Sequence, residues 1–359
     1  MCHSLLIHEF VFFFDIFNIL NKAIQMTKSL QFKLLRQGKP LKEKTLFWPI
    51  LMHFAARQIG HNYGEFASDF NVLVKSNLNA LERFDMDMVG LISDPYRETS
   101  AFGAPVEFIR EGVPRCKKLI ITTMNDVIAL KNPDIYKFER TLDRIRAGES
   151  LYKELKGEVP IIGWVEGPLA EACDLAGIDT MLMQMMVDPD FSNLLLDKCL
   201  QTAKDFARAQ IDAGCDIIGV GDAICSQISS DMYDLYIKER HKNLFEFIQS
   251  NGAAVKLHIC ANITHLLKSI AGIMPDIVDL DYDVDLDHAY EVLGSDIIRC
   301  GNINPVYIQD KSAEEILETS RKICMHEKGR KFIFSAGCEI TVNTPPENLL
   351  AMREGSVGR

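Results

Sequence analysis

An imidazole and a thiol stand two residues apart in the run His258-Ile259-Cys260. On an extended strand, side chains two apart project to the same face, so both donors point one way. A second thiol, Cys338, ends the run Phe334-Ser335-Ala336-Gly337-Cys338 and supplies a third donor if the fold brings the two segments together. One imidazole and two thiolates suit zinc, and three protein ligands leave a fourth position for a reactant. Zinc held in this way deprotonates a bound thiol or acts as a Lewis acid on an oxygen. The bland alternative is a satisfied core histidine beside an inert thiol. Of the ten cysteines, the other eight are scattered singly with no CxxC pair, and read as small hydrophobes or surface thiols in a reducing cytoplasm.

Donors this far apart in sequence meet only if regular elements carry them to one place. Short apolar and β-branched runs recur at 46–52, 88–93, 159–166, 216–222, 255–260, 276–281, 297–302 and 331–338, each of strand length. Between them apolar residues repeat three and four apart, as over 190–213 and 230–249, which is the spacing of amphipathic helices. Alternating strand and helix implies parallel strands joined by helical crossovers. Eight repeats close an α/β fold of the (β/α)8 TIM-barrel type, with an open doubly wound sheet as runner-up. The long second connection, 94–158, is expected to carry extra helices and a loop over the barrel mouth.

In such a barrel, chemistry gathers at the C-terminal ends of the strands. Those ends read, in order, His53 with Arg57, Asp94, Glu166, Asp222, His258 with Cys260, Asp281, Asn302 and Cys338. Few of these are natural core fillers, because unpaired buried charges and amides are costly. Glu166 and Asp222 position substrate, accept protons or complete a metal shell, unless they cap helices instead. Asp94 carries the same alternatives. His53 and Arg57 contact substrate or form a rim salt bridge, Tyr96 and Arg97 contact substrate or scaffold a loop, and Asn262 supports a metal-bound histidine or a turn.

The 359 residues are 47% hydrophobic, with 50 Asp+Glu against 39 Lys+Arg. A net charge of −11 discourages attraction to phosphate backbones, so nucleic acid is not expected as a partner. The apolar stretch 5–20 is interrupted by His8, Glu9, Asp15 and Asn18, and lacks a basic leader and a cleavage site. It makes a poor membrane span or signal peptide. The chain from Met26 reads like an ordinary cytosolic N-terminus, so residues 1–27 are taken as an appended segment and 28–359 as a single domain. The acidic run Asp279, Asp281, Asp283, Asp285, Asp287 fails as a calcium loop, with Leu286 where Gly is required and Val292 where Glu belongs. It reads as a solvated loop leading to a helix cap. Gly219-Val220-Gly221 lacks the third glycine of a dinucleotide fingerprint.

His258-Ile259-Cys260-Ala261-Asn262-Ile263-Thr264, Ser335-Ala336-Gly337-Cys338-Glu339 and Thr344-Pro345-Pro346-Glu347-Asn348-Leu349 together resemble one known group. It is the zinc-dependent methyltransferase branch of the uroporphyrinogen decarboxylase superfamily, which includes methylcobamide:coenzyme M methyltransferases and corrinoid-linked O-demethylase methyltransferases. Met52-His53-Phe54-Ala55-Ala56-Arg57, Ser93-Asp94-Pro95-Tyr96-Arg97-Glu98, Gly163-Trp164-Val165-Glu166-Gly167-Pro168 and Gly221-Asp222-Ala223 extend the match over roughly residues 28–352. The resemblance implies a barrel with zinc on His258, Cys260 and Cys338, and a corrinoid (cobalamin) carried by a partner protein. It also implies methyl transfer to a thiol such as coenzyme M, or from a methyl ether. Substrate contacts from His53, Arg57, Tyr96 and Asn302, and chemical roles for Glu166, Asp222 and Asp94, go with it.

Two alternatives remain. Uroporphyrinogen decarboxylases carry an M-R-Q-A-G-R run whose arginines help hold the acidic substrate, and this chain keeps the last arginine as Arg57 but has His53 in place of the first. A multiply charged porphyrinogen needs several cationic contacts, so that loss sets decarboxylation below methyl transfer. The third reading is a non-catalytic barrel that only binds a corrinoid protein.

Overall fold

In the computed structural model, which describes residues 26–39, 41 and 43–358, each of the eight apolar runs contains a strand. These are β1 (Leu46–Phe47), β2 (Val89–Gly90), β5 (Ile161–Glu166), β6 (Ile217–Gly221), β7 (Ala254–His258), β8 (Ile277–Asp279), β9 (Ile298–Ile303) and β10 (Phe332–Ala336). All neighbours pair in parallel, in the order β1-β10-β9-β8-β7-β6-β5-β2. The sheet curls until its ends meet: Asp87 N donates to Phe47 O at 2.9 Å, and Phe47 N donates to the Asp87 carboxylate at 2.9 Å. This is a (β/α)8 barrel. The appended segment expected before residue 28 lies outside the described residues except for Met26 and Thr27. Among the described residues, no helix is long and apolar enough to cross a membrane.

Strand alternation sorts the side chains into two cores. On β7, Val255 and Leu257 pack outward under the helices, whereas Ala254 joins Trp164, Ile217, Ile277 and Phe334 inside the barrel. Lys256 and His258 share the parity of Ala254 and therefore point inward. Trp164 occupies the space that side chains on the next strand would need, since a Cβ on Gly219 would lie 2.2 Å from its ring. Gly219 thereby makes room for the Trp164 ring.

Three local expectations differ from the structure. The helix expected over 230–249 is two helices, Ser230–Tyr236 and Lys238–Ser250. No Gly or Pro announces the break at Ile237. It lets the Tyr236 hydroxyl donate to Met185 O at 2.5 Å while His241 turns back toward Asp222. The second connection holds the expected helices, Arg97–Ala101, Met124–Ala129 and Glu139–Leu155, but also an antiparallel hairpin, β3 (Val106–Ile109) with β4 (Gly112–Cys116). The hairpin reaches the mouth, where its turn residue Glu111 meets His53. Finally, the acidic run is not uniformly solvated: Asp279 ends β8 and is buried, and Asp281 is buried just beyond it. Asp285 does cap the following helix, accepting from His288 N at 2.8 Å.

Candidate metal centre

His258 ends β7 with its ring directed into the barrel, 5.6 Å from the Trp164 ring centroid. Past the strand end the chain turns sharply at Ala261, whose φ of 69° is rare for a residue with a side chain. Ala261 N donates to Asp281 at 3.2 Å, which holds the turn and with it Cys260. Cys338 arrives from β10 through Gly337. A Cβ at Gly337 would stand 2.6 Å from Tyr282 N, so only glycine lets this segment pass so close to the β8 loop.

The three donors converge. His258 Nε2 lies 3.2 Å from Cys260 Sγ, Cys260 Sγ lies 3.8 Å from Cys338 Sγ, and all three ligand atoms fall within 4.8 Å of one another. The other ring nitrogen, His258 Nδ1, is 2.8 Å from the Asp279 carboxylate. That contact fixes the ring so that Nε2 faces the thiols, the arrangement found behind metal-bound histidines. Asp279 in turn pairs with the Lys256 ammonium, which lies 4.9 Å from the centre of the Trp48 ring.

Electrostatics follow the contacts. Burial alone would raise Asp279, but the Lys256 charge and the His258 hydrogen bond bring it down to about 2, so it stays ionised. Burial likewise opposes charge on His258, yet its bonds to Asp279 and Cys338 raise it to about 9. The thiols share one charge: Cys338 is lowered by the hydrogen bond from Cys260 and then by His258, while Cys260 is raised as the donor. The site is a pocket of one nitrogen and two sulfurs with a fixed geometry. These residues suit a soft divalent ion, and binding it would displace protons from His258 and Cys260.

The remaining strand-end residues take varied places around this pocket. Glu166, last on β5, accepts from Arg97 Nη2 at 2.9 Å, and burial pushes it well above the carboxylate range. Asp94 is held below its ordinary value: burial opposes this, but Arg140 grips both its oxygens at 2.6 Å and Arg97 stands near. Asp222 is wholly buried and caps the helix Pro168–Ala176, accepting from Ala170 N at 2.7 Å and Leu169 N at 3.3 Å. It also meets His241 Nε2 at 2.9 Å. With Cys225, these two form a second group of close donors. This group is fully buried, however, and both Asp222 oxygens already accept backbone N–H groups while His241 Nδ1 meets the Tyr233 hydroxyl at 2.9 Å, so it is a closed hydrogen-bond chain.

At the rim, His53 stacks on Tyr63 with centroids 5.2 Å apart and meets Glu111 at 3.0 Å. Arg57 donates to Asn343 at 3.1 Å. Tyr96 is half-buried and pushed up to about 12 by burial, then by Asp174. Asn302 uses its amide on Asp281 O and Val284 O, at 3.1 and 2.9 Å, which ties down the loop facing Gly337. Asn262 donates to Asp283 O at 3.2 Å, a turn contact.

Sequence reasoning passed over Lys256, Asp279, Glu98, Glu171 and Glu339. The first had a signal, since a lysine two residues before His258 on an otherwise apolar strand must enter the barrel. Glu339 follows Cys338, accepts from His53 N at 3.2 Å and is raised by burial to about 7.

The family model described as Uroporphyrinogen decarboxylase (URO-D) matches residues 32–355. A uroporphyrinogen decarboxylase of Pseudoalteromonas atlantica is 30% identical over 301 residues, covering 79% of this chain and 83% of its own. That of Carboxydothermus hydrogenoformans is 25% identical over 326 residues, covering 86% of this chain and 91% of its own. Among solved structures, a methyltransferase from Methanosarcina mazei superposes with a TM-score of 0.84 at 19% identity, over 92% of this chain and 98% of that one. A B12-independent methionine synthase from a Shewanella species matches with a TM-score of 0.53 at 14% identity, over 79% of this chain and 86% of that one.

Proposed function

The chain belongs to the uroporphyrinogen decarboxylase family, and within it we propose a zinc-dependent methyltransferase that moves a methyl group between a corrinoid and a small thiol or methyl ether. The convergence of His258, Cys260 and Cys338 within 4.8 Å carries this reading, with Asp279 locking the imidazole behind them. Zinc, when bound by these residues, supplies a Lewis acid with a position free for the sulfur or oxygen of the reactant. The protein's own part is to hold that geometry. Asp279 orients His258, Lys256 keeps Asp279 ionised, Asp281 fixes the turn that presents Cys260, and Gly337 admits Cys338. Glu166 stands at the mouth as a proton donor or acceptor. The corrinoid is expected on a partner protein that docks at the mouth.

The printed names of the relatives favour a second reading, decarboxylation of uroporphyrinogen. The cations near the mouth weigh against it. Arg97 is tied to Glu166 and Arg140 to Asp94, so neither of these buried arginines is free to meet an acidic substrate. The test is to mix the protein with methylcobalamin and a panel of thiols, with cob(I)alamin and methoxylated aromatics, and separately with uroporphyrinogen. Loss or gain of the methyl-cobalt spectrum in a zinc-dependent manner supports methyl transfer. Release of carbon dioxide from uroporphyrinogen with no methyl transfer replaces it with decarboxylation.

A further inference from the structure

On the β2 and β5 side of the mouth, four carboxyl groups crowd one guanidinium. Arg97 is wholly buried; its Nη2 donates to Glu166 at 2.9 Å, and its Nε lies 3.7 Å from Glu98 Oε2. Glu98 accepts the backbone N–H of Glu166 at 2.9 Å through its other oxygen. On the helix Pro168–Ala176, Glu171 accepts from Thr99 Oγ1 at 3.2 Å, and Asp174 faces the same group. Glu98 Oε2, Glu171 Oε1 and Asp174 Oδ2 are buried without a hydrogen-bond partner. If all four carboxyls were ionised, one guanidinium would leave three buried negative charges in excess, at a prohibitive desolvation cost.

Among the described residues, no other cation relieves them. Arg140 is committed to Asp94, and the remaining neighbours, Tyr96, Asp222, Cys173 and Cys199, bring no positive charge. A bound metal ion does not fit either. Among the described residues, only two groups of three donors lie within 4.8 Å of one another, and neither includes these carboxyls. Protons remain, and a protonated carboxyl gains a donor with which to satisfy an acceptor-only neighbour.

We propose that Glu98, Glu166, Glu171 and Asp174 hold at least one proton in common at neutral pH, and that Glu166 delivers it to the oxygen that departs when a methyl ether is demethylated. The delivery rests on the methyl-transfer reading above. Glu166 ends β5 on the same face as Trp164, whose ring borders His258, so it is the member aimed at the mouth. In the step, the methyl–oxygen bond breaks with its electron pair left on oxygen, and the Glu166 proton passes to that oxygen. The methyl carbon is taken by the electron pair of a reduced corrinoid. Glu166 is left as carboxylate and regains its proton from water at the mouth, its three buried neighbours favouring the neutral form. Burial raises every one of these carboxyls above its ordinary range, Arg97 opposing it at Glu98 and Glu166, and repulsion from other members of the group adds at Glu166, Glu171 and Asp174. Glu171 acts through the others and is a positioning residue.

Infrared spectra of the full chain in light and heavy water at neutral pH test the shared proton without any methyl transfer. The expected result is a carbonyl band of protonated carboxyl, shifted by deuterium and altered in both Glu171→Gln and Glu98→Gln; its absence from the unsubstituted protein overturns the proposal. Delivery is tested with cob(I)alamin and a methoxylated aromatic. Glu166→Gln should slow demethylation by about 10²- to 10⁴-fold, and Glu171→Gln should move the alkaline limb of the rate profile to lower pH. An unmoved limb overturns delivery. A band without any methyl transfer supports the shared proton and overturns both the delivery and the methyl-transfer reading.

Discussion

The two sides of the barrel mouth handle buried negative charge in different ways. Around β7, β8 and β10, two thiols and an imidazole converge on one point, with Asp279 behind the imidazole, and the fixed cation Lys256 pairs with Asp279. The convergent donors offer the sulfur and nitrogen atoms that suit a soft divalent ion. Around β2 and β5, more carboxyls surround Arg97, but their oxygens do not converge. In the proposed function the first geometry holds a metal, and in the proposed proton delivery the second retains protons. Residue type and the distances between ligand atoms both separate the two clusters.

The largest expected effect breaks the metal side. Cys260→Ser and Cys338→Ser should each weaken zinc binding well beyond the roughly 100-fold that loss of an outer partner costs, measured by competition with a chromophoric chelator. Replacing the outer partner sharpens the point: Asp279→Asn keeps the shape but removes the charge behind His258, and should weaken zinc about 10- to 100-fold in the same titration. Wild-type affinity in that variant would mean that Asp279 does not orient the ring.

On the proton side the effects appear in stability. Arg97→Met leaves the buried carboxyls without their cation and should cost about 3–5 kcal/mol in urea unfolding near neutral pH. The loss should shrink in mild acid. A carboxyl raised above its unfolded value stabilises the fold when protonated, and that contribution fades as pH climbs through the raised value. Asp94 behaves in the opposite sense. Its value is lowered, so the Arg140 pair contributes above the ordinary carboxylate range and is lost as pH falls. The smallest effect is expected of Glu171→Gln, which removes one raised group and should increase the melting temperature at alkaline pH only. An equal gain in acid would contradict a raised carboxyl at that position.

Much of this was legible in the chain because strands announce themselves locally. Eight apolar runs identify eight barrel strands, and the spacing of His258 and Cys260 places both near one strand end. The strands are shorter than the runs, as at Leu46–Phe47 and Val89–Gly90, because the chain leaves the sheet while remaining buried. Asp279 was hidden within an alternating acidic run, where only burial distinguishes it from the exposed Asp287. The Arg97 cluster joins the helix Arg97–Ala101 to the end of β5 and the helix after it, more than sixty residues away in sequence, and no spacing encodes that meeting. The break at Ile237 is set by what Tyr236 and His241 reach, a tertiary choice that overrides helical periodicity.

The most direct measurement is X-ray absorption at the zinc edge, on full-length protein purified without chelator and quantified for metal. About one zinc per chain is expected, in a shell of two sulfurs and one imidazole nitrogen plus a light atom. A metal-free chain that still transfers methyl groups, or zinc in a shell without sulfur, would contradict the account.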